Sequence, residues 1–163
     1  QVDMAQTDEE VARLWRTRKA LSPALRNVAP KKINEDVVVP VSRIPALIDG
    51  LERLAARFAI KIVNFGHAGN GNIHVNLLID PDDPVQMAAA DACLDAVFDL
   101  VLSLDGTLSG EHGIGWVKRA FVGRELDSVS LEMMAAIKRQ FDPDNILNPG
   151  VGLPESRAII ERI

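Results

Sequence analysis

The segment Gly66-His67-Ala68-Gly69-Asn70-Gly71-Asn72-Ile73-His74 constrains this chain more than any other, because an Asn-Gly pair lies between two runs that read as strands. Ile60-Lys61-Ile62-Val63-Asn64-Phe65 is rich in β-branched and aromatic residues. Asn72 to Ile79 alternates, with Ile73, Val75, Leu77 and Ile79 on one side and Asn72, His74 and Asn76 on the other. A two-residue type I′ turn at Asn70-Gly71 would close a hairpin and pair Gly69 with Asn72, Ala68 with Ile73 and His67 with His74. In that register two imidazoles face each other on neighbouring strands, with Cβ atoms ~4.5–5.5 Å apart.

The flanking sequence predicts helices around this hairpin. Thr7 followed by Glu9 and Glu10, with Val11, Leu14, Trp15, Leu21 and Leu25 at helical spacing, predicts a capped helix to about residue 28, kinked or divided at Pro23. Asp36-Val37-Val38-Val39 reads as a strand ended by Pro40. Ser42 then caps a helix with the stripe Ile44, Leu47, Ile48, Leu51, Leu54 and Ala55, continuing to about Phe58. A long apolar helix is predicted over 84–104, a short extended piece at Thr107-Leu108-Ser109, and a last helix over 128–141 before the irregular Leu147-Asn148-Pro149-Gly150. The expected fold class is α+β: a ferredoxin-like βαββαβ antiparallel sheet with helices on one face, plus flanking N- and C-terminal helices.

With 163 residues, 47% hydrophobic and 25% charged, one domain over 1–163 is expected. A net charge of -5 excludes a broad phosphate-binding surface, so no nucleic-acid partner is expected, although Arg13, Arg16, Arg18 and Lys19 are enough to hold one small anion. The single cysteine, Cys93, lies among alanines, leucine and valine and reads as core filler. No uncharged apolar run approaches ~18 residues and the start lacks a signal-peptide pattern, which points to the cytoplasm. A beginning at Gln1 rather than methionine reads as a piece of a longer protein.

All three histidines fall in the hairpin segment and in Ser109-Gly110-Glu111-His112-Gly113. His67 and His74 form a ligand pair, and Glu111 is the natural third ligand, since imidazole and carboxylate together suit zinc, manganese or iron. On an extended loop the side chains of Glu111 and His112 point apart, leaving His112 for acid–base work. The same residues would also make a metal-free polar site, or simply turn residues satisfied by backbone hydrogen bonds. A dinucleotide or P-loop reading of the glycines fails, because those motifs join a strand to a helix and no Gly-Lys-Ser/Thr is present.

Three ordered motifs, Gly-His-Ala-Gly-Asn-Gly-Asn-Ile-His, Gly106-Thr107-Leu108-Ser109-Gly110-Glu111-His112-Gly113-Ile114-Gly115 and Phe141-Asp142-Pro143-Asp144-Asn145-Ile146-Leu147-Asn148-Pro149-Gly150, resemble the C-terminal domain of FAD-linked 2-hydroxy-acid oxidases and dehydrogenases. The resemblance covers about Leu14 to Gly150. It implies a substrate-binding and catalytic cap that oxidises a D-2-hydroxy acid, of glycolate or D-lactate type, to the 2-oxo acid. It further implies FAD held mainly by an N-terminal FAD-binding domain absent from this chain and supplied in cis or by a partner subunit, so that this polypeptide alone is expected to be inactive. Through such partners it would lie peripheral to the inner membrane, and a homodimer is compatible with it.

By the same resemblance, His67, His74 and Glu111 bind a divalent metal such as zinc, and His112 is the catalytic base. Arg18 is the substrate-carboxylate arginine, Lys32 a second anion contact, and Asn148 a cofactor contact near the flavin. Many family members carry aspartate where this chain has Asn70, which is equally good turn chemistry. The competing class is a stand-alone metal or small-ligand binding module without catalysis.

Overall fold

The computed structural model describes residues 3–154; the last stretch of the domain expected over 1–163 lies outside them. Three strands, β1 (Lys31–Val38), β2 (Lys61–His67) and β3 (Asn72–Ile79), form an antiparallel sheet in the order β1-β3-β2. Among the described residues five α-helices accompany them: α1 (Asp8–Ala24), α2 (Ile44–Phe58), α3 (Pro84–Ser103), α4 (Val122–Glu125) and α5 (Ser128–Phe141). The α+β class is therefore as expected, with β3 in the middle of the sheet.

That central position explains why β3 is buried along its whole length although its sequence alternates. Its apolar side chains, with Val37 of β1, meet α2 and α3 in a core that includes Leu47, Leu51, Cys93, Val97, Phe98 and Val101. Cys93 is core filler, and burial pushes its thiol pKa up, so it stays a thiol. The opposite face carries Asn72, His74 and Asn76 of β3 beside Asn34 and Asp36 of β1. Period-two geometry thus separates a dry core from a polar face.

Local chemistry sets the helix starts. Thr7 accepts the Glu10 N–H at 3.3 Å while the Glu10 carboxylate accepts the Thr7 N–H at 3.1 Å, a reciprocal box that begins α1. Pro23 falls in the last turn and the chain passes into a 3₁₀ turn at Leu25–Asn27. Of the apolar stripe expected on α1, only Leu25, just beyond the helix, is buried; Val11, Trp15 and Leu21 are exposed. Ser42 does not cap α2. The segment Val41–Arg43 forms a 3₁₀ turn, and α2 begins at Ile44 with Pro45 in its first turn, where a missing N–H costs nothing.

Three further differences from expectation have physical causes. β1 starts at Lys31 rather than Asp36, because β3 is long enough to pair it from Lys31↔Ile79 to Val38↔Asn72, despite the polar residues in its first half. The hairpin turn is longer than two residues: a 3₁₀ turn at Ala68–Asn70 and Gly71 at φ 81° shift the register to His67↔Asn72 and Phe65↔His74. Gly71 is required there because a Cβ would overlap the Val39 carbonyl, whose own N–H donates to Gly71 O at 3.1 Å. Third, the expected last strand of the βαββαβ order shrinks to one bridge, Val38↔Thr107. Beyond it, Leu108 N–H donates to the Glu125 carboxylate and Lys118 Nζ donates to the carbonyls of Asp36 and Leu108, so side chains take the place of ladder bonds.

Phe98 is fully buried and its ring lies 4.6 Å from that of Phe121, whereas Val11 is exposed. Phe98→Ala is expected to cost ~3–5 kcal/mol in urea unfolding, and Val11→Ala to stay within about 0.5 kcal/mol. Equal effects of the two would contradict this packing.

Candidate functional site

Four elements of the polar face build the site. β2 delivers His67, β3 delivers His74, β1 delivers Asp36 opposite His74, and the loop after the Val38↔Thr107 bridge delivers Glu111 and His112. His67 and His74 are diagonal rather than directly opposite, as the hairpin register dictates. Diagonal positions remain within reach for ring side chains, and the two imidazole centroids are 5.7 Å apart in an edge-on arrangement.

Glu111 closes the cluster. Its Oε1 lies 3.4 Å from His67 Nε2 and its Oε2 lies 3.8 Å from His74 Nε2. One ligand atom from each of His67, His74 and Glu111 lies within 4.8 Å of the others, a spacing one divalent ion can bridge. Arg18 of α1 places Nη2 3.3 Å from His67 Nε2; a guanidinium only donates, so His67 Nε2 is the acceptor in this contact. His74 lies between the rings of Phe65, His67 and His112, with centroids at 5.9, 5.7 and 5.5 Å. Burial is the largest influence on its pKa and lowers it, and the neighbouring imidazoles add to that, against the raising effect of Glu111. A histidine held neutral is in the form a metal binds. The donor set fits a borderline divalent ion such as zinc.

His112 does not point away from Glu111 as an extended loop would require. The N–H groups of Gly110, Glu111 and His112 converge on Asp36 Oδ2, which curls the loop so that both side chains flank His74: Glu111 at its Nε2, His112 stacked over its face. His112 Nδ1 lies 3.5 Å from Asp36 Oδ1. Burial alone would raise the Asp36 pKa, but the backbone donors and Lys118, whose Nζ donates at 2.6 Å, outweigh it and hold the carboxyl well below the usual carboxylate range. Lys118 is itself buried, and its Nζ lies 3.3 Å from Glu35, whose pKa burial raises in spite of Lys118.

The other candidates lie farther from the cluster. Lys32 is on the same face of β1, two and four positions before Asn34 and Asp36, and donates to Ser22 Oγ of α1 at 2.5 Å. Asn148 is exposed, at φ 47°, in a turn where its carbonyl accepts the Val151 N–H. Asp36 and Lys118 are the important residues that sequence reasoning missed. Asp36 left one trace, a carboxylate heading an otherwise apolar strand; Lys118, in an irregular loop, left none.

Residues 1–151 match the family described as FAD linked oxidases, C-terminal domain. The chain belongs to this family. The glycolate oxidase subunit GlcD of Bacillus subtilis (strain 168) is 37% identical over 149 residues, 91% of this chain and 32% of that protein. GlcD of Escherichia coli (strain K12) is 33% identical over 153 residues, 94% of this chain and 31% of that protein. The D-2-hydroxyglutarate dehydrogenase of Stutzerimonas stutzeri (strain A1501) is 33% identical over 152 residues, 90% of this chain and 32% of that protein. The chain thus spans about a third of the length of the curated relatives it matches. Among the described residues no helix is long and apolar enough to cross a membrane.

The site makes stability pH-dependent. In the metal-free chain the His74 ring should titrate below the ordinary ~6.5. The unfolded chain then takes up a proton that the native state refuses, so stability falls as pH drops from the ordinary value toward the native one. Asp36 acts in the same direction at lower pH: its contribution is present above the ordinary ~3.9 and is lost as pH falls below that toward its depressed native value. Imidazole NMR checks His74 directly, and urea unfolding below the ordinary carboxylate value checks Asp36, since the raised pKa of Glu35 acts in the opposite sense above it; a His74 midpoint above ~6.5, or stability rising on acidification below ~3.9, would contradict the reading.

Proposed function

We propose that this chain is the substrate-binding and catalytic part of an FAD-dependent oxidoreductase that converts a D-2-hydroxy acid to the 2-oxo acid. The observation that carries the reading is a three-donor cluster, His67, His74 and Glu111, bordered by Arg18 and His112, in a chain of this family. The relatives' names share one chemistry: glycolate, D-lactate and D-2-hydroxyglutarate each carry a hydroxyl on the carbon beside a carboxylate. A site for that unit needs a cationic grip for the carboxylate and an acceptor for the hydroxyl proton.

This chain has side chains for both. Arg18 offers a planar fork suited to a carboxylate, and Lys32 a further positive charge on the same face. His112 is half-exposed beside the cluster and takes the hydroxyl proton as the carbon loses its hydride. His67, His74 and Glu111 would hold a divalent ion, which when bound supplies Lewis-acid polarisation of the substrate's hydroxyl and carboxylate oxygens. FAD supplies the hydride acceptor, and its binding falls to the portion of the relatives that this chain does not span, with Asn148 at the junction. That portion is the partner we assign to this chain, in cis or as a separate subunit.

In the longer flavoprotein, His112→Ala is expected to lower the rate of flavin reduction by a D-2-hydroxy acid by ~10²–10⁴-fold, read by the bleaching of flavin absorbance in stopped flow. Arg18→Ala should instead raise KM most strongly. Unchanged reduction in His112→Ala would remove that residue's catalytic role. A longer protein that binds zinc but no flavin would favour the non-catalytic binding module.

A further inference from the structure

We propose that Asp36 is a positioning residue: its buried carboxylate fixes the backbone of residues 110–112 and thereby brings Glu111 into the ligand cluster and His112 beside it. This rests on the metal-site reading above and adds to it the group on which the loop's shape depends.

The geometry assigns Asp36 a separate task for each oxygen. Oδ2 accepts the N–H groups of Gly110 at 2.8 Å, Glu111, and His112 at 2.9 Å. Three successive amides can point at one atom only if the chain curls around it, so this oxygen excludes the extended loop in which the side chains of residues 111 and 112 would diverge. Oδ1 faces Ser109 Oγ at 3.4 Å, His112 Nδ1 at 3.5 Å and Lys118 Nζ at 2.6 Å. A carboxylate beside Nδ1 favours the tautomer that carries its proton there, which leaves the Nε2 lone pair to accept a proton.

Two further features serve this contact. Gly110 lies so close to the Asn72 side chain and Val38 that a Cβ would overlap them, which lets the loop settle onto the sheet within reach of Asp36. Lys118 Nζ also donates to Asp36 O at 3.0 Å and Leu108 O at 2.7 Å, tying the carboxylate's own strand to the start of the loop. Asp36 is fully buried, so its partners are protein groups and its geometry does not relax into solvent.

The test uses this 163-residue chain, its Asp36→Asn variant and Co²⁺ as the probe. In the wild type the amides of Glu111 and His112 should exchange slowly with deuterium although their side chains are exposed, and Co²⁺ should give visible d–d bands of imidazole–carboxylate coordination. Asp36→Asn should abolish that local protection and raise the Co²⁺ Kd by ~10–100-fold, with the amides of β3 as protected as before. Removing one member of a buried pair can unfold a chain, and Lys118 also holds Glu35 and two carbonyls, so it is left in place and the wild-type measurement that follows carries the comparison if Asp36→Asn loses β3 protection. A measurement on the wild type needs no variant: scalar coupling across the hydrogen bonds between the amide nitrogens of residues 110–112 and the Asp36 carboxylate carbon.

Unchanged exchange and a Kd within about twofold of wild type would overturn the proposal, as would the absence of that coupling. A wild-type chain without Co²⁺ bands counts against the metal reading alone, because the exchange and coupling arms read the Asp36 contacts without any ion.

Discussion

The pairing of β3 with β1 and β2 along its whole length is the constraint on which the rest of the molecule depends. A strand in the middle of a sheet has no free edge, and its side chains alternate, so one eight-residue segment both anchors the core and carries the site. Val75 and Leu77 are sealed against α2 and α3, while His74 and Asn76, one residue away, line the polar face. A slip of one residue would exchange the two faces. The close approach of Gly71 to Val39 holds the register, because no residue with a Cβ fits at that turn.

The loop that completes the site is held by charge rather than by strand pairing. Where a fourth strand would continue along β1, the chain makes one bridge and then gives its amides to Asp36, with Lys118 placed between the carboxylate, two carbonyls and Glu35. A ladder would have extended the loop and separated Glu111 from His112. A carboxylate that collects three amides curls it, and a buried ammonium compensates the charge. The shortened sheet and the assembled cluster thus have one cause.

Much of this was readable in the sequence. The limits of β3 and α5, the core role of Cys93, the α+β class and the convergence of His67, His74 and Glu111 follow from alternation, helical spacing and the glycine-rich turn. The register was not, because Asn-Gly suits several turns and the choice depends on how closely Gly71 meets a strand distant in sequence. The polar first half of β1 resembled a loop, since only pairing with β3 makes Lys31 to Asp36 a strand. Asp36 and Lys118 are 82 positions apart, and no local pattern announces a pair made by folding alone. The stripe on α1 was legible as a pattern, but Val11, Trp15 and Leu21 stay exposed.

Family membership, the donor cluster and the neighbouring Arg18 and His112 support the proposal that this chain grips a hydroxy acid through its hydroxyl and carboxylate while a flavin-binding portion accepts the hydride. Its central claim is that His67, His74 and Glu111 bind one divalent ion together. X-ray absorption at the zinc edge of the zinc-loaded chain tests that most directly. The account predicts a first shell at ~2.0–2.2 Å with the outer-shell scattering of two imidazoles, reduced to one imidazole in His67→Ala. A shell of oxygen alone, or a spectrum unaltered by that substitution, would contradict it.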